Sequence, residues 1–517
     1  MVLLKETKSI CPDCFLKENK VNVINASIVE KDGKILYQKT CKKHGKFEDI
    51  YFGDAELYKK FERFALDGKK LENPTTKRDK GCPLDCGLCN EHYTTTVLAN
   101  IDLTNRCNFH CPVCFANSMD SGYVFEPTIE EIRHMMEVLR EERPSSTPAV
   151  QFAGGEPLIR DDIFEIIKMA REFNFSQIQA ATNGLKISES LNFTIKLKEA
   201  GMNGVYLQFD GVTPEVYMKT RGFNAWPIKL KAIENCRKAD LAVVLVPTLI
   251  KGVNDDQVGD MINFATKNVD VVRGLNVQPV SFTGRIDRSK LKKQRITIPD
   301  FIKLVEEQTN GVITKEDFYP VPWAVPIARV IALFKGIPQT EFTCHAHCGA
   351  ATYVFIEDEK IIPITRFFDA EGFYDFLVQV VEEYKNKKFK KAKIGLKILN
   401  NIGRFIDEKK KPEWLDLKKL LFNIVFRGTR GTLENFHSKR VNSLLIGCMH
   451  FQDPYNLDLE RVCRCCIHYA IPDGRVIPFC TYNTIHRENI EKRFSVPLEE
   501  WQRKQGKKLK GIKILGK

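Results

Sequence analysis

The stretch TVLANIDLTNRCNFHCPVCF, residues 96–115, joins a short apolar run to three closely spaced cysteines. The run has the composition of a β-strand, and Cys107, Cys111 and Cys114 follow it directly in the spacing C-x3-C-x2-C. Three thiolates are one short of the four that close an iron–sulfur cluster. A [4Fe–4S] cluster held by these cysteines would leave one iron open to a small molecule. The motif therefore predicts a reactive centre at the end of a strand.

Five more apolar runs follow, and they alternate with helix-period stretches. They read AVQFAGGEP (149–157), FSQIQAATNG (175–184), GVYLQFDG (204–211), LAVVLVPTLI (241–250) and RGLNVQPVS (273–281). Six β–α units of this kind indicate an α/β fold with a parallel sheet, either an open barrel or a doubly wound sheet. Ligands bind such sheets at the carboxyl ends of the strands, which is where the cysteine triplet lies.

The second run ends in GGEP, Gly154 to Pro157. Its two glycines allow the backbone to approach a ligand closely, and Glu156 with the backbone offers acceptors for an ammonium group. The cysteine triplet followed by GGEP resembles the radical S-adenosylmethionine (SAM) superfamily. That family commonly has an aromatic residue before the last cysteine, where this chain has Val113. The alternative, a zinc knuckle, does not account for the GGEP.

The resemblance implies a partial (β/α)6 barrel over about 96–282 and a catalytic cluster held by the triplet. The open iron would bind S-adenosyl-L-methionine, and one electron would release a 5′-deoxyadenosyl radical that removes a hydrogen atom from an unactivated carbon. The resemblance places the methionine amino group at Gly154, Gly155 and Glu156. Polar residues at later strand ends are candidates for the ribose and carboxylate contacts: Thr182, Asn183, Gln208, Asp210 and Arg221.

The chain has 17 cysteines in 517 residues, and no signal peptide or membrane-spanning run is apparent in the sequence. In a reducing cytoplasm such a set indicates metal ligands before disulfides. An earlier triplet, Cys82, Cys86 and Cys89, repeats the C-x3-C-x2-C spacing but precedes the first barrel strand and lacks its own GGEP. We interpret it as an auxiliary cluster that stores or moves an electron.

Two auxiliary [4Fe–4S] clusters need more thiolates than the earlier triplet supplies. The tail offers Cys448, Cys463, Cys465, Cys466 and Cys480, and we favour Cys448, Cys465 and Cys480 for its cluster. Cys344 and Cys348 would then be the fourth ligands, one for each auxiliary cluster. Zinc sites or buried free thiols are the alternative for these late cysteines, and Cys236 is expected in the core.

Near the N-terminus, Cys11, Cys14, Cys41 and His44 form C-x2-C…C-x2-H. This set suits one tetrahedral metal ion, either zinc or mononuclear iron as in rubredoxin. An ordinary surface histidine is the alternative for His44. The predicted domains are a metal-binding domain (1–60), an auxiliary-cluster segment (61–95), the radical SAM barrel (96–320) and a C-terminal domain with an auxiliary cluster and a lipid-facing surface (321–517).

The wider cysteine pattern, with CGAATYVF (348–355) and IHYAIPDGRVIPFC (467–480), resembles the archaeal tetraether lipid synthases. That resemblance implies carbon–carbon bond formation between the terminal methyl carbons of two isoprenoid chains of diether phospholipids. Related sequences have also been interpreted as radical methyltransferases acting on 7,8-dihydro-6-hydroxymethylpterin in methanopterin biosynthesis, and this is the alternative. Two further alternatives are less favoured. A multi-cluster electron carrier would not explain the GGEP motif, and no nucleic-acid-binding module is recognisable in the sequence.

The net charge of +13 suits phosphate headgroups at a membrane surface, but a lysine-rich solvated surface explains it equally well. Apolar stretches at 318–334 and 420–426 are candidates for a lipid-facing wall, with ordinary core as the alternative. The lipid interpretation predicts a cytoplasmic enzyme bound peripherally to the membrane. A low-potential donor such as ferredoxin is expected to supply its electrons.

Overall fold

A computed structural model describes residues 1–387, 391–421 and 442–505. Its strands are β1 (Val2–Ile10), β2 (Val23–Lys31), β3 (Lys34–Cys41), β4 (Gly45–Phe52), β5 (Leu98–Thr104), β6 (Tyr123–Phe125), β7 (Ala149–Gly154), β8 (Gln177–Thr182), β9 (Gly204–Gln208), β10 (Ala242–Val246), β11 (Thr248–Leu249), β12 (Val272–Pro279), β13 (Tyr319–Pro320), β14 (Gly349–Glu357), β15 (Lys360–Pro363), β16 (Ser443–Met449), β17 (Ile467–Ala470), β18 (Val476–Pro478) and β19 (Ser495–Pro497).

The helices in the same described ranges lie between these strands. They are α1 (Pro12–Glu18), α2 (Ala55–Glu62), α3 (Ile129–Glu141), α4 (Ile163–Glu172), α5 (Leu185–Glu189), α6 (Leu191–Ala200), α7 (Pro214–Arg221), α8 (Trp226–Lys238), α9 (Val258–Lys267), α10 (Leu291–Gln294), α11 (Ile298–Gln308), α12 (Val325–Lys335), α13 (Ala370–Tyr384), α14 (Lys391–Asn401), α15 (Leu459–Cys463), α16 (Phe479–Thr481), α17 (Arg487–Arg493) and α18 (Leu498–Gln505).

The N-terminal strands β1 to β4 form an antiparallel sheet in chain order. Asp32 and Gly33 connect β2 to β3 with φ angles of 51° and 72°, as a two-residue hairpin with the right-handed twist of a sheet requires. The helix α2 follows, and Asp54 caps it by accepting hydrogen bonds from the backbone N–H groups of Glu56 and Leu57. The sheet and its helix contribute to the main hydrophobic core.

Six parallel strands form the centre of the large sheet, in the order β12-β10-β9-β8-β7-β5. They coincide with the six apolar runs in the sequence, and helices follow in the β–α alternation that a parallel sheet requires. In α3, for example, Thr128 and Glu131 form a capping box, and Ile132, Met135, Met136 and Leu139 are buried. The predicted α/β fold with a partial barrel is confirmed.

The last part of the chain extends the barrel sheet at both edges. At one edge β16 pairs in parallel with β12, and β14 pairs antiparallel with β16. At the other edge β17 pairs in parallel with β5 and carries β18 as an antiparallel neighbour. Residues 450–466 therefore connect the two edges, and they carry three of the tail cysteines.

A second, smaller hydrophobic core contains α12, α13 and α14. Val330 and Ile331 of α12 are buried in it, so the apolar stretch at 318–334 supplies core residues rather than a lipid-facing wall. Most of the other proposed wall, 420–426, lies outside the described residues, as does the lysine-rich segment at 506–513. Among the described helices, none combines the length and apolar character needed to cross a bilayer.

Candidate active site

A cavity of about 360 Å³ lies at the carboxyl ends of the barrel strands, beside the loop that follows β5. All three cysteines of that loop, Cys107, Cys111 and Cys114, line the cavity. Six of the eight residues predicted to contact the cofactor also line it: Gly154, Gly155, Thr182, Asn183, Gln208 and Arg221. The structure therefore brings the cysteine loop and most of the predicted strand-end residues to one place.

Glu156 is placed differently from the prediction. Its carboxylate accepts hydrogen bonds from the hydroxyl of Thr182 at 2.8 Å, the backbone N–H of Asn183 at 2.7 Å and the backbone N–H of Leu158 at 3.2 Å. The residue is 1% exposed and is not among the residues that line the cavity. Burial raises its pKa to about 7, although these hydrogen bonds oppose the shift. This network joins the end of β7 to the end of β8 through Glu156, and a contact between Glu156 and the SAM ammonium group stays a prediction.

The two glycines of the motif keep the loop after β7 against the cysteine loop. A Cβ atom on Gly154 would lie 2.2 Å from the carbonyl oxygen of Thr104, and Gly154 has a φ of +118°. A Cβ atom on Gly155 would lie 2.2 Å from the carbonyl oxygen of Arg106. The backbone of the GGEP turn can therefore reach the start of the cysteine loop only because both positions lack a side chain.

Arg221 and Asp210 form a buried ion pair at the cavity wall, with Arg221 facing the cysteines. The Nε of Arg221 donates to one carboxylate oxygen of Asp210 at 2.6 Å, and its Nη2 donates to the other at 2.8 Å. Burial alone would lower the pKa of Arg221, but Asp210 and the Cys111 thiol raise it above its ordinary value. Asp210 is fully buried and is not a lining residue, so here it positions Arg221, and a direct contact between Asp210 and the cofactor stays a prediction.

The structure also shows two basic residues that the sequence did not single out. Lys229 is fully buried on α8, and its ammonium group donates to the carbonyl oxygen of Asn183 at 2.6 Å and to the Gln208 side chain at 2.7 Å. Arg285 exchanges backbone hydrogen bonds of 2.9 Å with Cys114, and its Nε donates to the carbonyl oxygen of Cys111 at 2.8 Å. No local sequence pattern marks either residue, because their partners lie far away along the chain.

An aromatic wall closes another side of the cavity. It comprises Phe115, Phe451, Tyr469 and Phe479. The rings of Phe451 and Phe479 stack at 4.1 Å between centroids, and Phe115 lies 5.6 Å from Phe479. Polar side chains lie deeper in the barrel, where they form a polar floor of Asn100, Gln151, Tyr206, Asn276 and Gln278. Such a cavity suits a flat ring that stacks on one side and offers hydrogen-bonding groups at its edge.

The N-terminal residues Cys11, Cys14, Cys41 and His44 come together as predicted for one metal ion. The Nδ1 of His44 lies 3.5 Å from the sulfur of Cys11, 3.4 Å from that of Cys14 and 3.8 Å from that of Cys41. Its other ring nitrogen lies 3.1 Å from Glu18, which orients the ring as the outer carboxylates of metal sites do. The donor set fits a tetrahedral ion.

The earlier triplet meets a cysteine from the tail. Cys82, Cys86, Cys89 and Cys463 line one small pocket, and the thiols of Cys82 and Cys463 are within hydrogen-bonding distance of each other. The fourth thiol is thus Cys463. This corrects the prediction that Cys344 or Cys348 completes the group. Four thiols in one pocket fit a closed iron–sulfur cluster.

Cys344 and Cys348 lie instead with the tail cysteines. The thiol of Cys344 contacts that of Cys466, and the ionisation of Cys348 is influenced by Cys466. Cys480 influences the ionisation of Cys465, and Cys348 influences that of Cys480, so the group contains five thiols: Cys344, Cys348, Cys465, Cys466 and Cys480. Arg461 donates to the Cys348 sulfur at 3.3 Å.

Cys448 was predicted as a ligand of the tail cluster, but the structure places it in the main hydrophobic core. Side chains alternate between the two faces of a strand. Met449, the next residue of β16, lines the cavity, so Cys448 points to the opposite face, towards the side of α11 that carries Asp300. We therefore remove Cys448 from the ligand set. The isolated Cys236 is also fully buried in this core.

A three-cysteine loop and a glycine turn at the open end of a partial barrel define a radical SAM enzyme. Residues 101–265 match the radical SAM superfamily, and residues 3–53 match the HMPTM N-terminal zinc ribbon domain. Over 503 residues the chain is 53% identical to the 7,8-dihydro-6-hydroxymethylpterin dimethyltransferase of Methanocaldococcus jannaschii, an alignment that covers 96% of this chain and 97% of the relative. The chain belongs to the family of that enzyme, within the radical SAM superfamily.

More distant likenesses cover less of the chain. A probable GTP 3′,8-cyclase of Thermococcus kodakarensis is 29% identical over 178 residues, which are 34% of this chain and 56% of the relative. The crystal structure of Streptococcus suis SuiB bound to the precursor peptide SuiA matches with a TM-score of 0.35 and 14% identity, covering 43% of this chain and 47% of that one.

These findings correct the prediction of a lipid-coupling synthase. The relative that matches nearly the whole chain is named for a pterin substrate and for methyl transfer. The predictions that a diether lipid and a membrane surface are partners of the enzyme are therefore also wrong. What the comparisons leave in place is an enzyme that uses a [4Fe–4S] cluster and SAM, with a zinc-ribbon domain at its N-terminus.

Proposed function

We propose that the protein is a radical SAM methyltransferase that acts on 7,8-dihydro-6-hydroxymethylpterin. The observation that carries the proposal is the 53% identity to the M. jannaschii dimethyltransferase over essentially the whole of both chains. The cavity supports it, because an aromatic wall and a polar floor suit a flat, nitrogen-rich ring. A bound [4Fe–4S] cluster and SAM would supply a 5′-deoxyadenosyl radical able to remove a hydrogen atom from a carbon that polar chemistry leaves inert.

The chain's own residues have separate roles in this proposal. Cys107, Cys111 and Cys114 hold the cluster, and Gly154 with Gly155 bring their backbone to the methionine end of SAM. Arg221 keeps a fixed positive charge beside the cluster loop and is available to the SAM carboxylate. The pterin lies between the aromatic wall and this loop, where the surrounding rings exclude water from the reacting carbon.

The other thiol groups support two auxiliary [4Fe–4S] clusters. Cys82, Cys86, Cys89 and Cys463 supply the four ligands that one closed cluster needs. The tail group has five thiols, of which four suffice, and either Cys465 or Cys466 is the spare one. The zinc ribbon match favours zinc over iron at the N-terminal site. The domain limits at 60, 95 and 320 remain part of this proposal.

The test is an anaerobic turnover experiment. The reconstituted enzyme, reduced with dithionite, is given SAM and 7,8-dihydro-6-hydroxymethylpterin, and mass spectrometry follows deoxyadenosine and the pterin. We expect deoxyadenosine together with pterins heavier by one and then two methyl-for-hydrogen replacements, and methyl-labelled SAM reports whether SAM is the methyl donor. Deoxyadenosine formed at the same rate with and without the pterin, with no change in pterin mass, would overturn the proposal.

A variant of the aromatic wall locates the pterin in the cavity. Phe479→Leu removes a stacking surface while it leaves the three cysteines of the loop in place, so we expect a higher KM for the pterin and unchanged deoxyadenosine formation in its absence. Phe367→Leu is the matched control, since Phe367 is a buried ring in the second core. Equal effects of the two variants on the pterin KM would show that the wall does not bind the ring.

A further inference from the structure

Two histidines and a glutamate meet at a place that none of the cysteine groups includes. His345 and His347 are buried in the loop before β14, and Glu62 is the last residue of α2. One possible ligand atom from each of the three lies within 4.8 Å of the others. The Glu62 side chain is 38% exposed, so the group reaches the surface through this residue.

The hydrogen bonding of His347 fixes which of its nitrogens carries a lone pair. Its Nε2 lies 3.1 Å from the backbone carbonyl oxygen of Tyr58, and a carbonyl oxygen can only accept. The proton is therefore on Nε2, and Nδ1 is an acceptor. That Nδ1 is buried, and no described protein group donates to it. It faces the Oε1 atom of Glu62 at 3.8 Å, so two acceptors point at each other.

Tyr58 organises both sides of this gap. Its ring stacks on the His347 imidazole with 3.9 Å between centroids and 6° between planes. Its carbonyl oxygen accepts the hydrogen bond from the Nε2 of His347, and its hydroxyl lies near the Glu62 carboxylate. Protein metal sites are commonly built in this way: the nitrogen of a histidine that does not bind the metal donates to a backbone carbonyl.

We infer that Glu62, His345 and His347 form a second metal site, for a divalent first-row ion such as Zn²⁺, Fe²⁺ or Co²⁺. Two imidazoles and one carboxylate are a known donor set for these ions, with coordination positions left for water. The side chains must draw together, because ligand bonds are about 2.0–2.2 Å long, and the exposed Glu62 is able to move. The Nδ1 of His345 accepts a hydrogen bond of 3.3 Å from the backbone N–H of His347, and binding the ion through this atom would replace that bond.

Such an ion would join two parts of the chain that are distant in sequence. Glu62 ends the helix that follows the N-terminal sheet, whereas His345 and His347 lie between Cys344 and Cys348 in the loop of the tail thiol group. The bound ion would hold this loop against α2. The site does not depend on which reaction the enzyme catalyses.

The experiment uses Co²⁺ as the probe on anaerobic holoenzyme with oxidised clusters and a zinc-filled N-terminal site. Oxidised [4Fe–4S] clusters have no electron paramagnetic resonance signal, so bound high-spin Co²⁺ is visible at low temperature. We expect one bound equivalent that Zn²⁺ displaces. Glu62→Gln keeps the shape of the side chain but removes its charge, and it should weaken Co²⁺ binding at least about tenfold. His347→Gln should abolish it.

Glu56→Gln is the matched control, because Glu56 is an exposed residue of the same helix. It should bind Co²⁺ as the unmodified enzyme does. If His347→Gln fails to fold, the comparison of Glu62→Gln with Glu56→Gln still decides the question. Equal affinities in those two variants, or no Co²⁺ bound to the unmodified enzyme, would overturn the inference and leave a water-bridged histidine pair.

Discussion

Arg221 donates hydrogen bonds to both carboxylate oxygens of Asp210, and its Nη1 donates to the carbonyl oxygen of Val113 at 3.2 Å. Asp210 follows β9, Arg221 ends α7, and Val113 lies inside the cysteine loop. The ion pair therefore joins the frame of the barrel to the loop that carries the catalytic cysteines. A two-point contact of this kind fixes the plane of the guanidinium as well as its position.

Asp210→Asn should leave the buried guanidinium of Arg221 without its counter-ion. Removing one partner of a buried pair costs about 3 to 5 kcal/mol, so we expect a lower melting temperature and slower SAM cleavage. The matched control is Asp270→Asn, which removes the acid of the exposed pair with Arg237. That change should cost less than about 1 kcal/mol. Thermal melting and deoxyadenosine release measure the two effects, and similar values for both variants would contradict the role of Asp210.

Iron content tests whether Cys463 is a cluster ligand and whether Cys448 is not. Cys463→Ser should lose one auxiliary cluster, because Cys463 is the fourth thiol beside Cys82, Cys86 and Cys89. Cys448→Ser should retain all its iron, because Cys448 lies in the apolar core. Iron analysis and Mössbauer spectra of the two reconstituted variants give the comparison. Loss of a cluster from Cys448→Ser, with none lost from Cys463→Ser, would reverse the assignment.

Gly154→Ala should displace the turn that we propose contacts SAM. An added Cβ atom would collide with the carbonyl oxygen of Thr104, and the left-handed φ adds strain of about 1 kcal/mol or more. Gly122→Ala is a suitable control, because Gly122 also has a left-handed φ of +73° but no atom within 4 Å of the added methyl group. We expect SAM binding, measured by equilibrium dialysis, to weaken in Gly154→Ala alone. Equal losses would mean that strain, and not the collision, governs binding.

Removal of the N-terminal metal should leave the catalytic cluster in place. Cys14→Ser deletes a thiol at the centre of the C-x2-C…C-x2-H group. We expect it to lose one zinc ion per chain with no change in iron, as measured by inductively coupled plasma mass spectrometry. Cys236→Ala, a core cysteine outside every ligand group, should keep the zinc. One iron missing from Cys14→Ser, with zinc absent from the unmodified enzyme, would identify a rubredoxin-type site instead.

A pH-dependent contribution to stability is expected from Glu142. Its carboxylate is buried against Thr96 and Thr147, and burial raises its pKa from 4.5 to about 7 despite three hydrogen bonds. The folded state therefore holds this proton more tightly than the unfolded state, so the stabilisation is complete below pH 4.5 and is lost as the pH rises through 7. The loss is at most about 3 kcal/mol.

Glu142→Gln stays neutral at every pH and should remove this dependence. The melting temperature of the variant, taken relative to the unmodified protein, should rise between pH 5 and pH 8, by a few degrees for each kcal/mol or so. Glu141→Gln changes the exposed residue that ends α3, next to Glu142, and should show no such trend. A constant difference between Glu142→Gln and the unmodified protein would contradict the raised pKa.

Local patterns were enough to predict the barrel and its cysteine loop. Each barrel strand is a short apolar run, and most of these runs are followed by a stretch with helical periodicity of its apolar residues. Both patterns can be recognised within a short stretch of sequence. The triplet at Cys107, Cys111 and Cys114 and the glycines at 154 and 155 are equally local. The same holds for the N-terminal metal group, whose spacing is set by one turn and one hairpin.

The grouping of the remaining cysteines could not be predicted, because it depends on how distant segments pack. Cys463 lies beside the triplet at Cys82 because the pairing of β17 with β5 brings the tail next to the segment before the barrel. Cys448 is one residue away from a position that faces the cavity, and sequence alone does not say which face of β16 is buried. The hydrogen-bond partners of Glu156 could not be predicted for a related reason: Thr182 and Asn183 lie at the end of the next barrel strand.

The pairing of β16 with β12 and of β17 with β5 has a consequence for how the protein is made. Both edges of the barrel await strands from the last part of the chain, so they remain unpaired while the ribosome synthesises the preceding residues. Unpaired strand edges are prone to aggregate. The nascent chain is therefore most vulnerable until residues 443–470 have been synthesised, and a premature stop before them would leave both edges open at once, not a shorter working enzyme.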